Sequence, residues 1–491
     1  MAKQLSILFV TSEMYPYVKA SGLGDVAYSF PLAMRDLGED IRVMLPKYGI
    51  VSERKNKIHE INRLKDFSIK IGDNVELATV KSSSVNNPRT KVQAYITTNF
   101  NLFDAKKGVY ADAKTGEIFP DNDERYIFFA RTVVETCVIL GWMPDIIHCN
   151  DWYTAMVPAF AKLLYPAKFK KTKFIYTIHN FEKQGVFPPT TFRKTGLPKE
   201  LMPNFLHKDR FNFLKVALTY ADHFTTVSET YKKEILVDNK HGDGLNKMLV
   251  ELGDKFDGIL NAIDKYAWDP KTDIHLKAKF EDDFEEYKSI NKKDLLNTMG
   301  LKPIENAPLI GIVSRLDHQK GINLFIEAAD KIFKENVQVV MLGQGEKEMK
   351  DKVQAIQEKY PEKFACKFEF DDILAHQVEA GTDIFLMPSL FEPCGLNAMY
   401  SQIYGSVPLV RSTGGLKEIV KNYNEKTKEG NGLTFNDFNE DSLIKAINNA
   451  IALYAKPEQW SQLVSNAMSM QWRWNESIKK YHEIYKSITK D

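Results

Sequence analysis

Short apolar runs alternate with longer amphipathic stretches along almost the whole chain. Runs rich in β-branched and aromatic residues predict strands, and apolar positions spaced three or four residues apart predict helices. Helical patterns such as Glu124–Leu140 and Trp152–Leu164 lie between the predicted strands. This alternation is typical of parallel βαβ units, so the first half predicts a doubly wound sheet. Its predicted strands are Leu5–Val10, Ile41–Leu45, Val92–Thr97, Asp145–His148, Phe174–His179 and His223–Val227.

The alternation stops at residue 266 and resumes after residue 305. This interval is highly charged and contains Pro270 and Pro303, which favours a linker or hinge between two α/β domains, residues 1–265 and 306–456. Two such Rossmann-like domains are expected to face one cleft. The strands predicted in the second half are Leu309–Val313, Val337–Leu342, Phe364–Phe370, Asp383–Met387 and Val407–Val410.

The last residues, 457–491, carry a helical pattern with several large rings, Trp460, Trp472 and Trp474. A tail with one apolar face and such side chains is expected to pack against the rest of the protein. We predict one or two helices that cross back to the first domain.

Composition narrows the possible partners. The chain has 491 residues, more than one hydrophobic core usually organises, so two domains are expected. Its 66 basic and 65 acidic side chains leave a formal net charge of +1. Such a balance gives no general attraction to nucleic acid or to an anionic membrane, so any anion must be bound by a local cluster.

The sequence also carries expectations about location and thiol chemistry. The first residues run directly into a predicted strand without the pattern of a secretory signal, and no apolar run approaches the roughly twenty residues that cross a bilayer. A cytoplasmic protein is therefore predicted. The scattered Cys137, Cys149, Cys366 and Cys394 form no Cys-x-x-Cys pair, which favours reduced thiols over a disulfide framework or a zinc site.

A lysine and two glycines follow the first predicted strand. Lys19, Gly22 and Gly24 precede an amphipathic helix that starts near Val26. Glycines let backbone N–H groups approach a phosphate, the helix N-terminus adds its positive end, and the lysine adds a full charge. The pattern predicts an anion-binding loop, although glycines at this position can also serve only to make the turn.

Two further turns in the second half have similar chemistry. Arg315 and Lys320 follow its first predicted strand, where doubly wound sheets bind ligands, and they suit phosphate oxygens. The turn Thr413-Gly414-Gly415 follows Val407–Val410 and offers backbone amides at a helix start. A solvated basic turn and a plain glycine turn are the alternative interpretations of these segments.

Candidate polar groups also stand at predicted strand ends. Glu392, in Phe391-Glu392-Pro393-Cys394-Gly395-Leu396, can accept hydrogen bonds from sugar hydroxyls, or it can serve as an acid at a helix start. His148, Asp151 and His179 close strands of the first half, where functional groups collect in such folds. A structural role is the more plausible interpretation for His148 than for His179.

Taken together, these motifs resemble the bacterial glycogen synthase and plant starch synthase family, glycosyltransferase family 5. They occur in the family's order and span nearly the whole chain. The segments that carry the resemblance are Lys19-Ala20-Ser21-Gly22-Leu23-Gly24-Asp25-Val26, His179-Asn180 with Gln184-Gly185, Asn261-Ala262-Ile263-Asp264, Ser314-Arg315-Leu316 with Gln319-Lys320-Gly321, Phe391-Glu392-Pro393-Cys394-Gly395-Leu396 and Ser412-Thr413-Gly414-Gly415-Leu416.

The resemblance implies the two-domain GT-B architecture and a retaining hexosyltransferase that moves glucose from ADP-glucose to the 4-hydroxyl end of an α-1,4-glucan. UDP-glucose as donor, or a glucan-binding protein that has lost catalysis, are the alternatives that we retain. A phosphorylase, which needs pyridoxal phosphate, and a glycoside hydrolase, which needs two paired carboxylates, fit the residues less well. No nucleic acid or membrane partner is implied.

The resemblance also implies roles for particular residues. The catalytic group would be Glu392, His179, Lys320, Arg315 and Asp25, with Lys19 and Gly22 facing the distal phosphate. Asn261 would help to hold the glucose hydroxyls. The remaining nucleotide-sugar residues would be Phe370, Cys394, Gly395, Leu396, Thr413, Gly414 and Gly415, and the acceptor side would include Asp151, Asn180 and Gln184.

The residue types fit a reaction without a metal or an organic cofactor. When the glucosyl bond breaks, negative charge grows on the departing diphosphate, and fixed cations and N–H donors stabilise it. Three departures from the family pattern stand out. The family's common Lys-Thr-Gly-Gly reads Lys19-Ala20-Ser21-Gly22, a ribose-binding glutamate of related enzymes is Tyr400, and the tyrosine that stacks on adenine is Phe370.

Overall fold

The computed structural model describes residues 4–237, 242–369 and 371–490. The chain divides into two compact units. Unit 1 comprises Met1–Asn261 and Trp474–Asp491, and unit 2 comprises Ala262–Arg473. The α/β organisation expected from the sequence is confirmed in each of them.

Strands and helices are numbered here in chain order. The strands are β1 (Ser6–Val10), β2 (Asp40–Pro46), β3 (His59–Glu60), β4 (Phe67–Ile71), β5 (Asn74–Asn86), β6 (Lys91–Thr98), β7 (Ile146–Asn150), β8 (Lys173–Ile178), β9 (Val186–Phe187), β10 (Leu206–His207), β11 (Arg210–Asn212), β12 (His223–Thr226), β13 (Phe256–Gly258), β14 (Leu309–Val313), β15 (Gln338–Leu342), β16 (Phe364–Lys367), β17 (Ile384–Met387), β18 (Val407–Arg411) and β19 (Leu433–Phe435).

The α-helices are α1 (Gly22–Asp36), α2 (Asn122–Leu140), α3 (Met156–Leu164), α4 (Thr191–Lys194), α5 (Phe213–Tyr220), α6 (Glu229–Val237), α7 (Asn246–Glu251), α8 (Phe284–Met299), α9 (Ile322–Ile332), α10 (Lys347–Lys359), α11 (Asp372–Gly381), α12 (Leu396–Ile403), α13 (Gly414–Ile419), α14 (Glu440–Tyr454), α15 (Pro457–Met468) and α16 (Ser477–Ile488). Short 3-10 helices cover Asn62–Leu64, Trp152–Thr154, Lys199–Asn204 and Gly253–Lys255, and a π-helix covers Phe100–Asp104.

The central sheet of unit 1 has a parallel region with strand order β6-β2-β1-β7-β8-β12-β13. All six strands predicted for the first half lie in this region. The order reverses between β1 and β7, because β2 follows β1 on one side and β7 lies on the other. Strands β1 and β7 are buried on both faces, as expected for the centre of a doubly wound sheet.

One side of this sheet departs from the prediction of a purely parallel sheet. Strand β5 pairs antiparallel with β6, and β3 and β4 both pair antiparallel with β5. A small antiparallel sheet, β10-β11-β9, adds a further departure. Strand β5 contains Ser82, Ser83 and Ser84, and serine is not a favoured strand residue, which explains why the hydrophobic pattern did not reveal it.

Unit 2 is built on one parallel sheet with the order β16-β15-β14-β17-β18-β19. This is the strand order 3-2-1-4-5-6 of a Rossmann fold, with its reversal between β14 and β17. The apolar core on the sheet includes Ile310, Phe325, Val339, Leu386 and Ile447, all nearly inaccessible to solvent. The five predicted strands are confirmed, although the strand predicted over Phe364–Phe370 ends at Lys367.

The boundaries between the units differ from the predicted domain limits. Residues 266–305 belong to unit 2 rather than forming a linker, and α8 packs there on α11. Helix α8 is rich in charged residues, but one face of it is buried and includes Tyr287, Leu295 and Leu296. On the same buried face, Lys288 Nζ donates to the carbonyl oxygens of Ala380 and Thr382 at 2.8 and 2.6 Å.

Only part of the predicted tail packs on unit 1. Helix α15 contacts α12 and α14 and belongs to unit 2, whereas α16 packs on α1 in unit 1. The ring of Tyr481 meets Phe30 edge-on at 4.9 Å, and the Tyr485 hydroxyl lies 2.5 Å from His148 Nδ1. The tail therefore completes the core of unit 1 over the first helix.

No α-helix in the described part of the chain combines the length and apolar character that a membrane crossing requires.

Candidate functional site

In unit 2 the carboxyl ends of β14 and β17 are neighbours at the point where the strand order reverses. Doubly wound sheets bind ligands outside this point. The loop that follows β14 contains Arg315 and Lys320, and the loop that follows β17 contains Glu392. Three residues predicted from two separate motifs thus lie on adjacent loops.

Lys320 and Glu392 form an ion pair between these loops. The Lys320 Nζ lies 2.6 Å from Glu392 Oε2, and Ser389 Oγ donates to the same oxygen over 3.1 Å. Glu392 is only 4% exposed, and its buried carboxylate holds the partly exposed ammonium of Lys320 in place. A cation fixed in this way needs little reorganisation when negative charge develops beside it.

Gly321 permits the close approach of the two loops. Its φ is +71°, and a Cβ there would lie 2.0 Å from the carbonyl oxygen of Pro388. The Leu390 N–H donates to the Gln319 carbonyl over 2.9 Å, a second direct link between the loops. Glycine is therefore required at residue 321 both by the backbone conformation and by the space available.

Arg315 is held by its own loop. Its Nη2 donates to Gln319 Oε1 over 2.8 Å, and its Nη1 lies 3.3 Å from Asp317 Oδ2. The side chain is about one-third exposed, so the guanidinium reaches solvent while two neighbours fix its orientation. An oriented guanidinium with spare donors suits bidentate binding of phosphate oxygens.

The predicted glycine turn packs on the Glu392 loop. A Cβ at Gly415 would lie 2.2 Å from the carbonyl oxygen of the buried Cys394. The Gly415 N–H donates to the Glu392 carbonyl over 3.0 Å. This corrects the expectation that the amides of both Gly414 and Gly415 are available to a diphosphate, because the second amide already fixes the loop. Thr413 is the N-cap residue of α13.

Helix α12 begins at Leu396, and its N-cap residue Gly395 has a φ of +100°. The family departure at Tyr400 lies on this helix, where the ring is buried and stacks on Trp268 with centroids 3.8 Å apart. Tyr400 is therefore a packing residue in unit 2. The predicted Phe370 lies outside the described residues.

In unit 1 the predicted residues follow three neighbouring strands beside the reversal of strand order. Lys19 follows β1, Asp151 follows β7 and His179 follows β8. The carboxyl ends of parallel strands share one edge of a sheet, so the topology brings these segments to the same edge.

Lys19 pairs with the first turn of α1. Its Nζ lies 3.0 Å from Asp25 Oδ1, and both side chains are mostly buried. A Cβ at Gly24 would lie 3.1 Å from the Lys19 side chain, so this glycine leaves room for the lysine. Gly22 is the first residue of α1 and is exposed, and the first N–H groups of a helix have no partner within the helix.

A buried carboxylate that the sequence did not indicate, Glu13, holds the loop between β1 and α1. Its Oε2 accepts the N–H groups of Ala20 and Ser21 at 2.6 and 2.8 Å. Its Oε1 accepts the hydroxyls of Ser21 and Tyr110 at 2.8 and 2.9 Å. The predicted anion-binding loop therefore presents fewer backbone amides than expected, because those of Ala20 and Ser21 are already engaged.

Asp151 ties the end of β7 to the end of β8. Its Oδ1 accepts the His179 N–H over 2.8 Å, and the Asn180 N–H also bonds to its carboxylate. The backbone of Asp151 has a φ of +54°, a region that aspartate tolerates better than most residues. Burial raises the pKa of Asp151 to about 7, against the lowering effect of these N–H groups.

His179 is a neutral imidazole with a defined tautomer. The Asn150 Nδ2 donates to the Val10 carbonyl over 3.0 Å, so Asn150 Oδ1 faces His179 Nε2 at 2.9 Å. The His179 Nε2 must therefore carry the proton and donate it. Burial lowers the pKa of His179 to about 3, so the ring stays uncharged at neutral pH.

Two other polar residues have structural roles in unit 1. His148 is buried between the Tyr485 hydroxyl at 2.5 Å and Thr177 Oγ1 at 2.6 Å, and burial lowers its pKa to about 3. Gln184 is also buried, its Nε2 donating to the Gly242 carbonyl and its Oε1 accepting from Asn212. Both ends of the Gln184 amide thus bind the protein, and its acceptor-side role stays a prediction.

The remaining predicted residues are placed less distinctively. Asn180 Oδ1 accepts the Glu182 N–H over 3.0 Å, which makes a local turn after β8. Asn261 is buried and is the residue at which the chain leaves unit 1. Within residues 4–237, 242–369 and 371–490, no three His, Cys, Asp or Glu side chains are grouped as a metal site.

Comparisons with known protein families and proteins cover the whole molecule. Residues 6–251 match the starch synthase catalytic domain, and residues 300–466 match the glycosyl transferases group 1. The glycogen synthase of Clostridium beijerinckii is 38% identical, and that of Chlorobaculum parvum is 34% identical. Each alignment covers 99% of this chain and 99% of the relative.

Solved structures agree with the sequence comparisons. The catalytic domain of starch synthase IV from Arabidopsis thaliana, bound to ADP and acarbose, has a TM-score of 0.90 at 29% identity, with 100% of both chains covered. A sucrose-phosphate synthase from Thermosynechococcus elongatus, 14% identical with a TM-score of 0.59 over 99% of both chains, shares the fold alone. With its GT-B fold and full-length similarity, this chain belongs to the glycogen synthase and starch synthase family of glycosyltransferases.

Proposed function

We propose that the protein transfers glucose from ADP-glucose to the non-reducing 4-hydroxyl end of an α-1,4-glucan, with retention at the anomeric carbon and release of ADP. The observation that carries the proposal is the ion pair between Lys320 and the buried Glu392 at the point where the strand order of unit 2 reverses. Arg315, on the same loop as Lys320 and oriented by Gln319, adds a second cation. The relatives named glycogen synthase support the glucan product, and the ADP in the starch synthase IV structure supports the choice of donor.

The proposed reaction breaks the bond between the anomeric carbon and the diphosphate oxygen and forms a bond to the acceptor 4-hydroxyl oxygen. The electron pair of the broken bond leaves with ADP, where Arg315 and Lys320 stabilise the added negative charge. Lys19 acts on the distal phosphate in this proposal. The acceptor proton passes to the departing phosphate, so no separate general base is required.

Glu392 and His179 have different tasks in this scheme. Glu392 accepts hydrogen bonds from glucose hydroxyls while its Oε2 keeps Lys320 in place. His179 is neutral, so its ring adds no positive charge to the site. Asp151 accepts its N–H, which fixes the backbone at the end of β8, where the family resemblance places the anomeric centre. No metal and no organic cofactor takes part in the proposed reaction.

The test uses the purified full chain with glycogen, in separate assays with ADP-glucose and UDP-glucose, each in the presence of EDTA. Nucleotide release and glucan chain length are measured. We expect elongation with ADP-glucose and little with UDP-glucose. Transfer from UDP-glucose alone would reverse the donor assignment. Glycogen binding without release of either nucleotide would instead indicate a glucan-binding protein.

Two variants connect this activity to the site. Glu392→Gln should reduce turnover strongly, because one oxygen that accepts hydrogen bonds becomes a donor. Lys359→Ala removes an exposed lysine that pairs with Asp330 on the surface of unit 2, and it should leave turnover unchanged. Equal activity of both variants would mean that the site has been misplaced.

A cytoplasmic location stays a prediction of the sequence.

A further inference from the structure

We propose that Glu13 is a positioning residue that holds the Lys19–Gly22 loop ready for the nucleotide sugar, with Ser21 and Tyr110 as its partners. The inference rests on the proposed function, because the loop matters through its action on the leaving phosphate. It concerns a residue outside the groups that we expect to contact the nucleotide sugar.

The carboxylate of Glu13 accepts the N–H groups of both Ala20 and Ser21 through one oxygen, Oε2. It is 1% exposed. Its other oxygen accepts two hydroxyls, Ser21 Oγ and Tyr110 Oη. An ionised carboxylate is an acceptor only and has room for all of these donors. Because two successive amides point at one oxygen, the backbone just after Lys19 has little freedom.

The hydroxyl of Ser21 joins the carboxylate to the helix. Ser21 is the N-cap residue of α1, where its Oγ accepts the Leu23 N–H over 3.2 Å while donating to Glu13 Oε1. The family's common sequence has a glycine at this position and a threonine one residue earlier. In this chain the serine therefore supplies a contact that a glycine could not, and the departure gains a structural explanation.

Tyr110, 97 positions further along the chain, anchors Glu13 by donating its hydroxyl to Oε1. Burial raises the pKa of Tyr110 well above its usual range, so its hydroxyl remains a donor. Ser12 Oγ lies 2.7 Å from this hydroxyl, and the ring stacks on Tyr153 with centroids 4.2 Å apart. The preceding carbonyl, that of Val109, accepts Nη1 of the fully buried Arg125 over 2.9 Å. The anchor is thus part of the rigid core rather than of a surface loop.

The first experiment measures kcat/KM for ADP-glucose in four variants. Glu13→Gln keeps one oxygen for the two amides, and its NH₂ group can donate to the hydroxyls of Ser21 and Tyr110, so we expect a loss within about 3-fold. Glu13→Met leaves all these donors unsatisfied, and we expect a loss of about 30-fold or more. Glu39→Gln and Glu39→Met are the matched controls, since Glu39 is a buried carboxylate of unit 1 that binds the Leu5 N–H and His482.

A double-mutant cycle with Lys19→Ala separates positioning from general damage. If Glu13 acts through Lys19, adding Glu13→Met to Lys19→Ala should lower kcat/KM far less than it does in the wild type. Losses that simply multiply, or a Glu13→Met enzyme as active as the wild type, would overturn the proposal. A similar loss in Glu39→Met would also overturn it, because the effect would then follow from any damaged buried carboxylate.

Hydrogen–deuterium exchange of the segment around Ala20 and Ser21 provides a readout that needs no catalysis. Slow exchange in the wild type and in Glu39→Met, with fast exchange in Glu13→Met, is the expected result. Unchanged protection in Glu13→Met would overturn the proposal that Glu13 anchors the loop, even if kcat/KM of this variant falls. A wild type without any glucosyl transfer would instead reject the proposed function, while the exchange result would still decide whether Glu13 holds the loop.

Discussion

Both lysines that are expected to face phosphate are already paired with a carboxylate. Lys19 Nζ lies 3.0 Å from Asp25, and Lys320 Nζ lies 2.6 Å from Glu392. An ammonium has three N–H donors, so it can keep its carboxylate and bind a phosphate oxygen as well. At the residue scale the carboxylates therefore orient the cations, and they lower the entropy that each lysine would lose on binding.

Replacement of Lys320 tests this view directly. Lys320→Ala should lower kcat by about 100-fold to 1,000-fold, as for other losses of a preorganised donor. It should also reduce the free energy of unfolding, because the buried Glu392 charge loses its counter-ion. The double variant Lys320→Ala/Glu392→Gln should regain stability without regaining turnover. Steady-state kinetics and urea unfolding measure the two effects, and a double variant with restored turnover would contradict the assignment.

The carboxyl of Asp151 gives a pH-dependent prediction. Burial raises its pKa in the folded protein to about 7, whereas the value in an unfolded chain is about 3.9. The folded state thus binds the proton more tightly, and the contribution of Asp151 to stability falls as pH rises from about 4 to about 7 and is constant above. Asp151→Asn does not titrate, so it serves as the reference.

Urea unfolding of the wild type and of Asp151→Asn between pH 5 and pH 8 measures this effect. We expect the wild type to lose about 1–2 kcal/mol relative to the variant as pH rises to about 7, a value reduced for the partial exposure of the side chain. Above about pH 7 the difference should not change further. Parallel curves across the whole range would show that Asp151 titrates well below pH 5.

At the scale of elements, two loops that follow adjacent strands are brought together through one glycine. Gly321→Ala places a Cβ against the Pro388 carbonyl at 2.0 Å, in addition to the cost of a positive φ. Gly300→Ala is a close control, since Gly300 has a φ of +75° and nothing within 4 Å of its added Cβ. The conformational cost is about 1 kcal/mol for each variant, so any larger loss at Gly321 reports the contact between the loops.

We therefore expect Gly321→Ala to lower kcat strongly and Gly300→Ala to leave it near the wild-type value. Thermal unfolding should show the larger shift for Gly321→Ala. Equal shifts for the two variants, with turnover retained in both, would mean that the loops can separate without affecting the site.

The same elements show which parts of the structure a sequence can predict. Parallel strands such as β1 and β14 are continuous apolar runs, and the polar residues that follow them are recognisable from the strand alone. The antiparallel β5 could not be recognised in this way, because its serine-rich segment has no apolar run. Contacts between distant residues were also hidden. Glu13 meets Tyr110 across 97 positions, and Gln184 meets Gly242 across 58.

At the scale of the whole molecule, the chain leaves unit 1 at Asn261 and returns to it at Trp474. Within each unit, a hydrogen bond joins the segment that leaves unit 1 to the segment that returns to it. In unit 2 the Ile263 N–H donates to the Trp472 carbonyl over 3.0 Å, and in unit 1 Ser477 Oγ donates to the Leu260 carbonyl over 2.6 Å. Unit 1 is thus completed only when the last residues of the chain have folded, whereas unit 2 is continuous.

This organisation predicts that damage to α16 destabilises one unit selectively. Tyr481 is 2% exposed and packs on Phe30, so Tyr481→Ala should cost about 3–5 kcal/mol in unit 1. Lys479→Ala, on the exposed face of the same helix, should cost little. Calorimetry with peptide-resolved hydrogen exchange can assign each transition to a unit. Because α16 belongs to unit 1 and contributes no side chain to the apolar core described for unit 2, we expect the transition of unit 2 to stay unchanged. A shift of the unit 2 transition as large as that of unit 1 would mean that the two units unfold as one.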